Sequence, residues 1–98
     1  MAKHRWTYEE DFVCCYEYLR FVFLYEGDDS LINLVNIISE KLPHLDCGTI
    51  RMKIQNIKQV ALDEGLEDRL EFSPLCRYTK QCRRAFRDAS DELLKIMP

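Results

Sequence analysis

The chain has 98 residues, 47% of them hydrophobic and 11% aromatic, which is enough for one domain with a modest core. The formal net charge is −3, so the overall charge does not indicate a nucleic-acid partner. The longest apolar run, Phe21 to Tyr25, is too short to span a bilayer, and the charged N-terminus does not resemble a signal peptide. We therefore expect one cytoplasmic domain over residues 1–98, without membrane contact.

The first predicted helix covers about residues 8–25. Thr7 and Glu10 have the spacing of a capping box, in which each side chain accepts a hydrogen bond from the other residue's backbone amide. Trp6, just before this helix, is predicted to pack against the core. Apolar residues then repeat at helical spacing, and the stripe expected to face the core comprises Phe12, Tyr16, Leu19 and Phe23.

The second and third helices are predicted at about residues 31–42 and 47–62. Pro43 ends the second helix, Asp46 can cap the third, and Gly65 is a terminator for it. The second helix has a single apolar stripe, made of Leu31, Leu34, Val35, Ile38 and Leu42. The third buries a stripe made of Ile50, Ile54, Ile57 and Ala61.

The last predicted helix covers about residues 79–97, after a segment without clear periodicity at 66–78. Its buried stripe comprises Cys82, Phe86, Ala89, Leu93 and Ile96. No segment alternates with period two for long enough to predict a strand. The sequence therefore predicts an all-α fold: a three-helix core in which a short turn joins helices two and three, as in helix-turn-helix domains, followed by a C-terminal helix.

Basic residues are segregated along the chain. Residues 49–60 carry three basic and no acidic side chains, and residues 77–87 carry five basic and no acidic ones. These stretches hold 8 of the 14 basic residues and none of the 17 acidic ones. Two acid-free helical faces are typical of a one-sided surface that binds a polyanion.

Helical geometry predicts that the polar side chains of both stretches face solvent. Arg, Lys, Asn and Gln read base edges in the major groove, and basic side chains also bind phosphates. The candidate base-reading residues of the third helix are Arg51, Met52, Lys53, Gln55, Asn56, Lys58 and Gln59. The candidate phosphate-binding residues are Arg77, Lys80, Arg83, Arg84 and Arg87. Ordinary solvated helix surfaces are the alternative interpretation.

The opening Arg5-Trp6-Thr7-x-Glu9-Glu10, followed by two further helices, resembles the Myb/SANT-like three-helix fold. In that fold the tryptophan anchors the core and the third helix lies in the major groove. The resemblance therefore implies binding of double-stranded DNA.

A closer resemblance is to the N-terminal region of a group of bacterial and phage HNH endonucleases. There an R-W-T-x-E-E opening precedes a stretch like T-P-S-x-V-x-M-K-L-x-N-F, which Met52, Lys53 and Asn56 match in this chain. Asp46 and Ile57 depart from that pattern. The nuclease domain of the family, with its metal site, has no counterpart after residue 88, so the resemblance implies the recognition part without the chemistry.

No catalytic or metal-binding constellation stands out in the sequence. The five cysteines are odd in number and contain no C-x-x-C pair, and the two histidines are far apart along the chain. We expect reduced thiols that are buried or half-buried, no cofactor and no enzymatic activity.

Two functions follow from these features. The first is a small non-enzymatic DNA-binding protein of a phage or mobile element, with the third helix in the major groove and the last helix on phosphates. The alternative is a protein-interaction module, such as a phage-encoded inhibitor of a host nucleic-acid-handling defence enzyme of the anti-CRISPR or anti-restriction type. Acidic connections motivate this alternative. Homodimer formation stays open for both.

Overall fold

The computed structural model describes residues 4–97, and within them the protein is all-helical, as predicted. Four helices follow one another: α1 (Tyr8–Phe23), α2 (Leu31–Lys41), α3 (Cys47–Asp63) and α4 (Lys80–Ile96). The first three helices begin at the predicted residue, and the other bounds differ from the predicted ones by one or two residues. Met1–Lys3 and Pro98, which belong to the predicted domain 1–98, lie outside the described residues.

Side-chain caps fix where three of the helices begin. The capping box predicted before α1 is confirmed, because Thr7 Oγ1 accepts from the Glu10 amide and the Glu10 carboxylate accepts from the Thr7 amide. Asp46 caps α3 through the Thr49 amide, also as predicted. Thr79 caps α4 in the same way. Each cap satisfies an amide that has no partner inside its helix.

Gly65 ends α3 in a Schellman motif. Its φ of +86° lies in the left-handed region, where a glycine avoids the steric cost of a Cβ. The Gly65 amide donates to Leu62 O (3.1 Å), and the Leu66 amide donates to Ala61 O (2.8 Å). The predicted terminator is therefore confirmed, and Glu64, between the last helical residue and Gly65, is the C-cap of α3.

All four helices contribute to the core: the most extensive contact joins α1 and α4, α2 packs against α1 and α3, and α3 packs against α1 and α4 as well. The isoleucine stripe of α3 is buried as predicted. In α1 the predicted stripe is partly wrong: Phe12 and Tyr16 are only half-buried and Phe23 is exposed, while Cys14 and Tyr18 are fully buried. Because α1 is covered by helices on more than one side, its buried arc is wider than a single stripe.

At the C-terminal end of α4 the predicted stripe also stops early. Leu93 is buried, but Ile96, one turn later, is exposed. Trp6 is half-buried and packs against the core, in agreement with its predicted role. None of the helices within residues 4–97 has the length and apolar character needed to cross a membrane.

Candidate nucleic-acid interface

The basic side chains of α4 lie on its outward face, as the sequence predicts. Lys80 and Arg84 are exposed, and the Arg84 side chain keeps 80% of its accessible surface. The guanidinium of Arg84 sits 5.7 Å from the centroid of the Tyr8 ring, and its nearest carboxylate oxygen, on Asp88, is 3.9 Å away. At that distance and exposure the pair does little to neutralise Arg84.

Two further arginines of α4 are bound by a carboxylate that the sequence did not point to. Glu64 accepts from Arg83 at 3.4 Å and also from Arg87, and these side chains are 39% and 62% exposed. Hydrogen bonds from Arg87 and Arg83 lower the pKa of Glu64. The face is acid-free along the sequence but not in space. The signal for this contact in the sequence was weak: Glu64 adjoins Gly65, the glycine predicted to end α3.

Arg77 and Arg51 complete the exposed cations among the predicted site residues. Arg77 precedes α4, and within residues 4–97 neither side chain has a carboxylate oxygen within 4.0 Å. The α4 basic surface is the name used below for Arg77, Lys80, Arg83, Arg84 and Arg87.

Lys53 is not available to a nucleic acid, so its prediction as a contact residue is wrong. Its side chain is only 5% exposed, and its Nζ lies 2.8 Å from Oδ1 of the fully buried Asp11. The ammonium also lies 4.7 Å from the centroid of the Trp6 ring, a cation–π arrangement. Gln81 donates to the other oxygen of Asp11, at 2.8 Å. Lys53 therefore ties α3 to α1 inside the protein.

The prediction of Lys58 as a nucleic-acid contact is wrong for the same reason. Its side chain is 8% exposed, and Nζ donates to Asp68 Oδ1 (2.5 Å) and to Leu70 O (2.7 Å). The hydroxyl of Tyr18 donates to the second oxygen of Asp68, at 2.8 Å. This network fastens the connection between α3 and α4 to both α1 and α3.

The polar face of α3 that was predicted to read bases is covered by the chain itself. Gln55 Nε2 donates to Ser73 O at 3.2 Å. With its amide oriented to satisfy both groups, Asn56 donates to Arg77 O (2.7 Å) and Leu75 O (3.1 Å). These amides therefore hold the α3–α4 connection, and contact with bases stays a prediction for them that these hydrogen bonds disfavour.

The remaining predicted residues of α3 differ in exposure. Gln59 is half-buried and donates to Asp63 at 2.9 Å, which is an ordinary contact one turn along a helix. Met52 is exposed, like Arg51. Only these two keep the free, outward position that the base-reading prediction requires.

The charges of α4 run against its helix dipole. The N-terminal end of a helix carries a partial positive charge, so acidic residues stabilise the first turn and basic residues the last. α1 follows this rule, with Glu9, Glu10 and Asp11 in its first turn. α4 has no acid in its first turn, and four of its residues at positions 80–87 are basic. The stability of the helix itself does not explain this arrangement.

Both histidines meet at one carboxylate, although they are 40 positions apart along the chain. His4 Nε2 lies 2.9 Å from Glu10 Oε1, and His44 Nε2 lies 2.6 Å from Glu10 Oε2. Burial raises the pKa of Glu10, but hydrogen bonds from His44, Thr7 and His4 outweigh it and lower the pKa to about 2. In the part of the chain that is described, no group of three ligating side chains has the arrangement of a metal site.

The cysteines separate into two groups. Cys14, Cys15 and Cys82 are buried between α1 and α4, as predicted, and burial raises the pKa of Cys14 far above its ordinary value. Cys47 and Cys76 are exposed, so for them the prediction of buried thiols is wrong. Cys47 is the first residue of α3, and Cys76 lies in the connection between α3 and α4.

Comparison with protein-family models, curated proteins and solved structures finds no match to this chain. The resemblance to Myb/SANT-like domains and to the N-terminal region of HNH endonucleases therefore stays a prediction from the sequence.

Proposed function

We propose that the protein is a non-enzymatic module that binds the phosphate backbone of double-stranded nucleic acid through the α4 basic surface. Phosphates supply most of the affinity in such complexes, and exposed arginines and lysines are the side chains that neutralise them. Arg77, Lys80 and Arg84 are the principal contacts. Arg83 and Arg87 contribute less, because Glu64 already binds them.

The observation that carries this proposal is the exposed basic half of α4. Four cations lie in the first two turns of α4; two of them, Lys80 and Arg83, lie in the first turn, where the helix dipole disfavours them and no acid is present. A bound polyanion would offset this electrostatic cost, and the partial positive charge of the helix N-terminus would add to the attraction.

The proposal differs from the sequence-based one in the role of α3. Gln55 and Asn56 hold the connection, and Lys53 and Lys58 are buried in ion pairs. Base readout by α3 therefore has no support from these side chains. We expect binding with little dependence on sequence, because phosphate contacts carry no sequence information.

A salt series with a labelled duplex of random sequence tests the proposal by fluorescence anisotropy. With three principal phosphate contacts, the logarithm of the binding constant should fall against the logarithm of salt concentration with a slope of about −3. The K80A/R84A variant should reduce the magnitude of this slope by about 2.

A matched control separates this surface from general charge effects. The R5A/K41A variant removes two exposed basic residues, one before α1 and one at the end of α2, and neither has a carboxylate partner within residues 4–97. It should leave the slope unchanged. Equal slopes for the two double variants, or no binding by the unmodified protein at low salt, would refute the α4 basic surface as a nucleic-acid contact.

A protein-interaction module, such as an inhibitor of a defence enzyme, is the second candidate. It rests on acidic connections, but several of these acids have internal partners: Asp29 binds Arg69, Asp63 binds Tyr78 and Asp68 binds Lys58. The acidic surface left for a partner is therefore smaller than the sequence suggests. Pull-down from host lysate before and after nuclease treatment separates the candidates, because a nucleic-acid bridge is lost and a direct protein contact is retained.

A further inference from the structure

A groove follows the α4 basic surface along the helix. It lies between the C-terminal ends of α1 and α3 and the middle of α4, and its volume is about 270 Å³. Leu19 and Phe86 line it as buried residues, whereas Phe23 and Leu66 stay accessible. Pockets for drug-sized ligands have volumes of about 300–1,000 Å³. The groove is therefore suited to a smaller group.

Phe23 is the aromatic side chain that the groove leaves open. The apolar period of α1 predicts it in the core, yet it is the last residue of the helix and is 49% exposed. An aromatic ring in contact with water gains free energy when another group covers it. A planar partner can cover such a ring face to face or in an offset stack.

Four polar side chains complete the lining of the groove. Arg87 is bound by Glu64, so these two largely neutralise each other. Asp91 is exposed, and in the described part of the chain no basic nitrogen lies within 4.0 Å of its carboxylate. The hydroxyl of Ser90 can both donate and accept. An apolar surface with a few polar groups is typical of a binding site that fixes the orientation of its ligand.

The charges of the groove decide between the two parts of a nucleotide. Glu64 and Asp91 would repel a phosphate, but a carboxylate accepts hydrogen bonds and therefore attracts the N–H groups on the edge of a base. The faces of bases stack on aromatic side chains such as Phe23. The groove therefore complements a base and not a phosphate.

The groove is continuous with the α4 basic surface, because Arg87 belongs to both. Arg84, three residues earlier, is its neighbour on the same face of the helix. A strand whose phosphates lie on these two arginines would bring its bases beside the groove. Taking a paired base out of the stack costs free energy, whereas an unpaired base is already available.

We propose that the groove binds one unpaired base of a duplex whose phosphates lie on the α4 basic surface, with Phe23 against the face of the base and Asp91 accepting from its edge. This inference rests on the proposed function and narrows its substrate to duplexes that carry an unpaired base. Cytosine, which has an amino group, is favoured over thymine, whose one N–H lies between two carbonyl oxygens.

Fluorescence anisotropy with two labelled duplexes tests the role of Phe23. The duplexes differ only in one unpaired cytosine, and the unmodified protein should bind the one that carries it about tenfold more tightly. F23A removes an exposed ring, so it should lose this preference and keep its affinity for the fully paired duplex. I32A is the matched control, since it truncates an exposed apolar side chain on α2 and should keep the preference.

A second pair of duplexes tests Asp91. The unmodified protein should bind an unpaired cytosine about fivefold more tightly than an unpaired thymine at the same place. D91A should bring this ratio close to one. The ratio is unaffected by the general gain in affinity that follows the removal of an acid. E92A, which removes the neighbouring acid outside the groove, should keep the ratio of the unmodified protein.

The two proposals fail in different ways. Equal affinities for the paired and the bulged duplex, a preference that survives in F23A, or a cytosine-to-thymine ratio that D91A does not change would each overturn the groove as a base-binding site and leave the α4 basic surface standing. Absence of binding to either duplex at low salt would refute both proposals. K80A/R84A should weaken binding to both duplexes, whereas F23A should weaken only the bulged one.

Discussion

The two lysines of α3 and the basic residues of α4 have opposite roles, although both stretches are free of acid along the sequence. In α3, Lys53 and Lys58 are buried and paired with Asp11 and Asp68. In α4, Lys80 and Arg84 are exposed. The same composition therefore produces a structural element in one helix and a surface in the other.

The difference comes from how much of each helix is covered. α3 packs against α1, α2 and α4 and is also covered by the connection that leads to α4. α4 packs on one side only, and its buried face is narrow. A lysine at the flank of an apolar stripe reaches solvent in the second case and is enclosed in the first.

The largest expected effect tests the buried side of this comparison. Lys58→Met removes the cation that neutralises Asp68 and leaves a carboxylate unpaired in the interior. We expect the free energy of unfolding in urea to fall by about 3–5 kcal/mol. Lys80→Met, on the exposed side, should change it by less than about 0.5 kcal/mol.

The double variant K58M/D68N checks the cause. Because the neutral amide needs no counter-charge and can still accept from Tyr18, most of the loss should be recovered. If K58M proves as mild as K80M, the Lys58–Asp68 pair is solvated and the contrast between the two helices fails.

A medium effect concerns Glu10, whose pKa of about 2 lies below its ordinary value of 4.5. Because the folded state binds this proton less tightly than the unfolded chain, the carboxylate contributes stability above about pH 4.5 and loses it as the pH falls towards 2. His4 and His44 are partly exposed, so the expected loss is about 1–2 kcal/mol.

Urea unfolding of the unmodified protein and of Glu10→Gln, at pH 5 and at pH 2.5, measures this contribution. The unmodified protein should lose more stability over that interval than E10Q, since glutamine does not titrate. Glu9→Gln, at the exposed neighbouring position, serves as the control and should behave like the unmodified protein. Equal losses in E10Q and the unmodified protein would show that the histidine contacts do not stabilise the carboxylate.

The smallest expected effect on stability concerns Glu64 and the exposed arginines of α4. Glu64→Gln weakens the ion pairs with Arg83 and Arg87. Because these pairs are exposed, the free energy of unfolding should change by less than about 1 kcal/mol. If the α4 basic surface binds phosphates, the released guanidiniums should steepen the salt dependence of duplex binding by about 1. Glu67→Gln makes the same charge change nearby and should leave the slope as it is.

The helices could be predicted from local signals, because caps and apolar periods are set by neighbouring residues. Thr7, Asp46 and Gly65 act where the sequence suggested, and the isoleucines of α3 are buried. The surface of α4 was also predictable, since its cations lie opposite a clear apolar stripe.

The internal contacts of the α3 residues could not be predicted from the sequence, because the groups that bind them come from segments distant in the sequence. Asp68 and the carbonyl of Ser73 come from a connection without periodicity, and nothing local shows that it folds back onto α3. Glu64 lay just outside the basic stretches, so its contact with Arg87 depended on how α4 packs.

The hydrogen bonds between α3 and the connection join side-chain donors of the helix to main-chain acceptors of the connection. Gln55 and Asn56 donate from their side chains, but Ser73, Leu75 and Arg77 accept with main-chain oxygens that every residue type possesses. During evolution, Ser73 and Leu75 could therefore be exchanged without losing these bonds, whereas replacing either amide would lose them. Within this pair of segments, mutational tolerance should concentrate in the connection and intolerance in the helix.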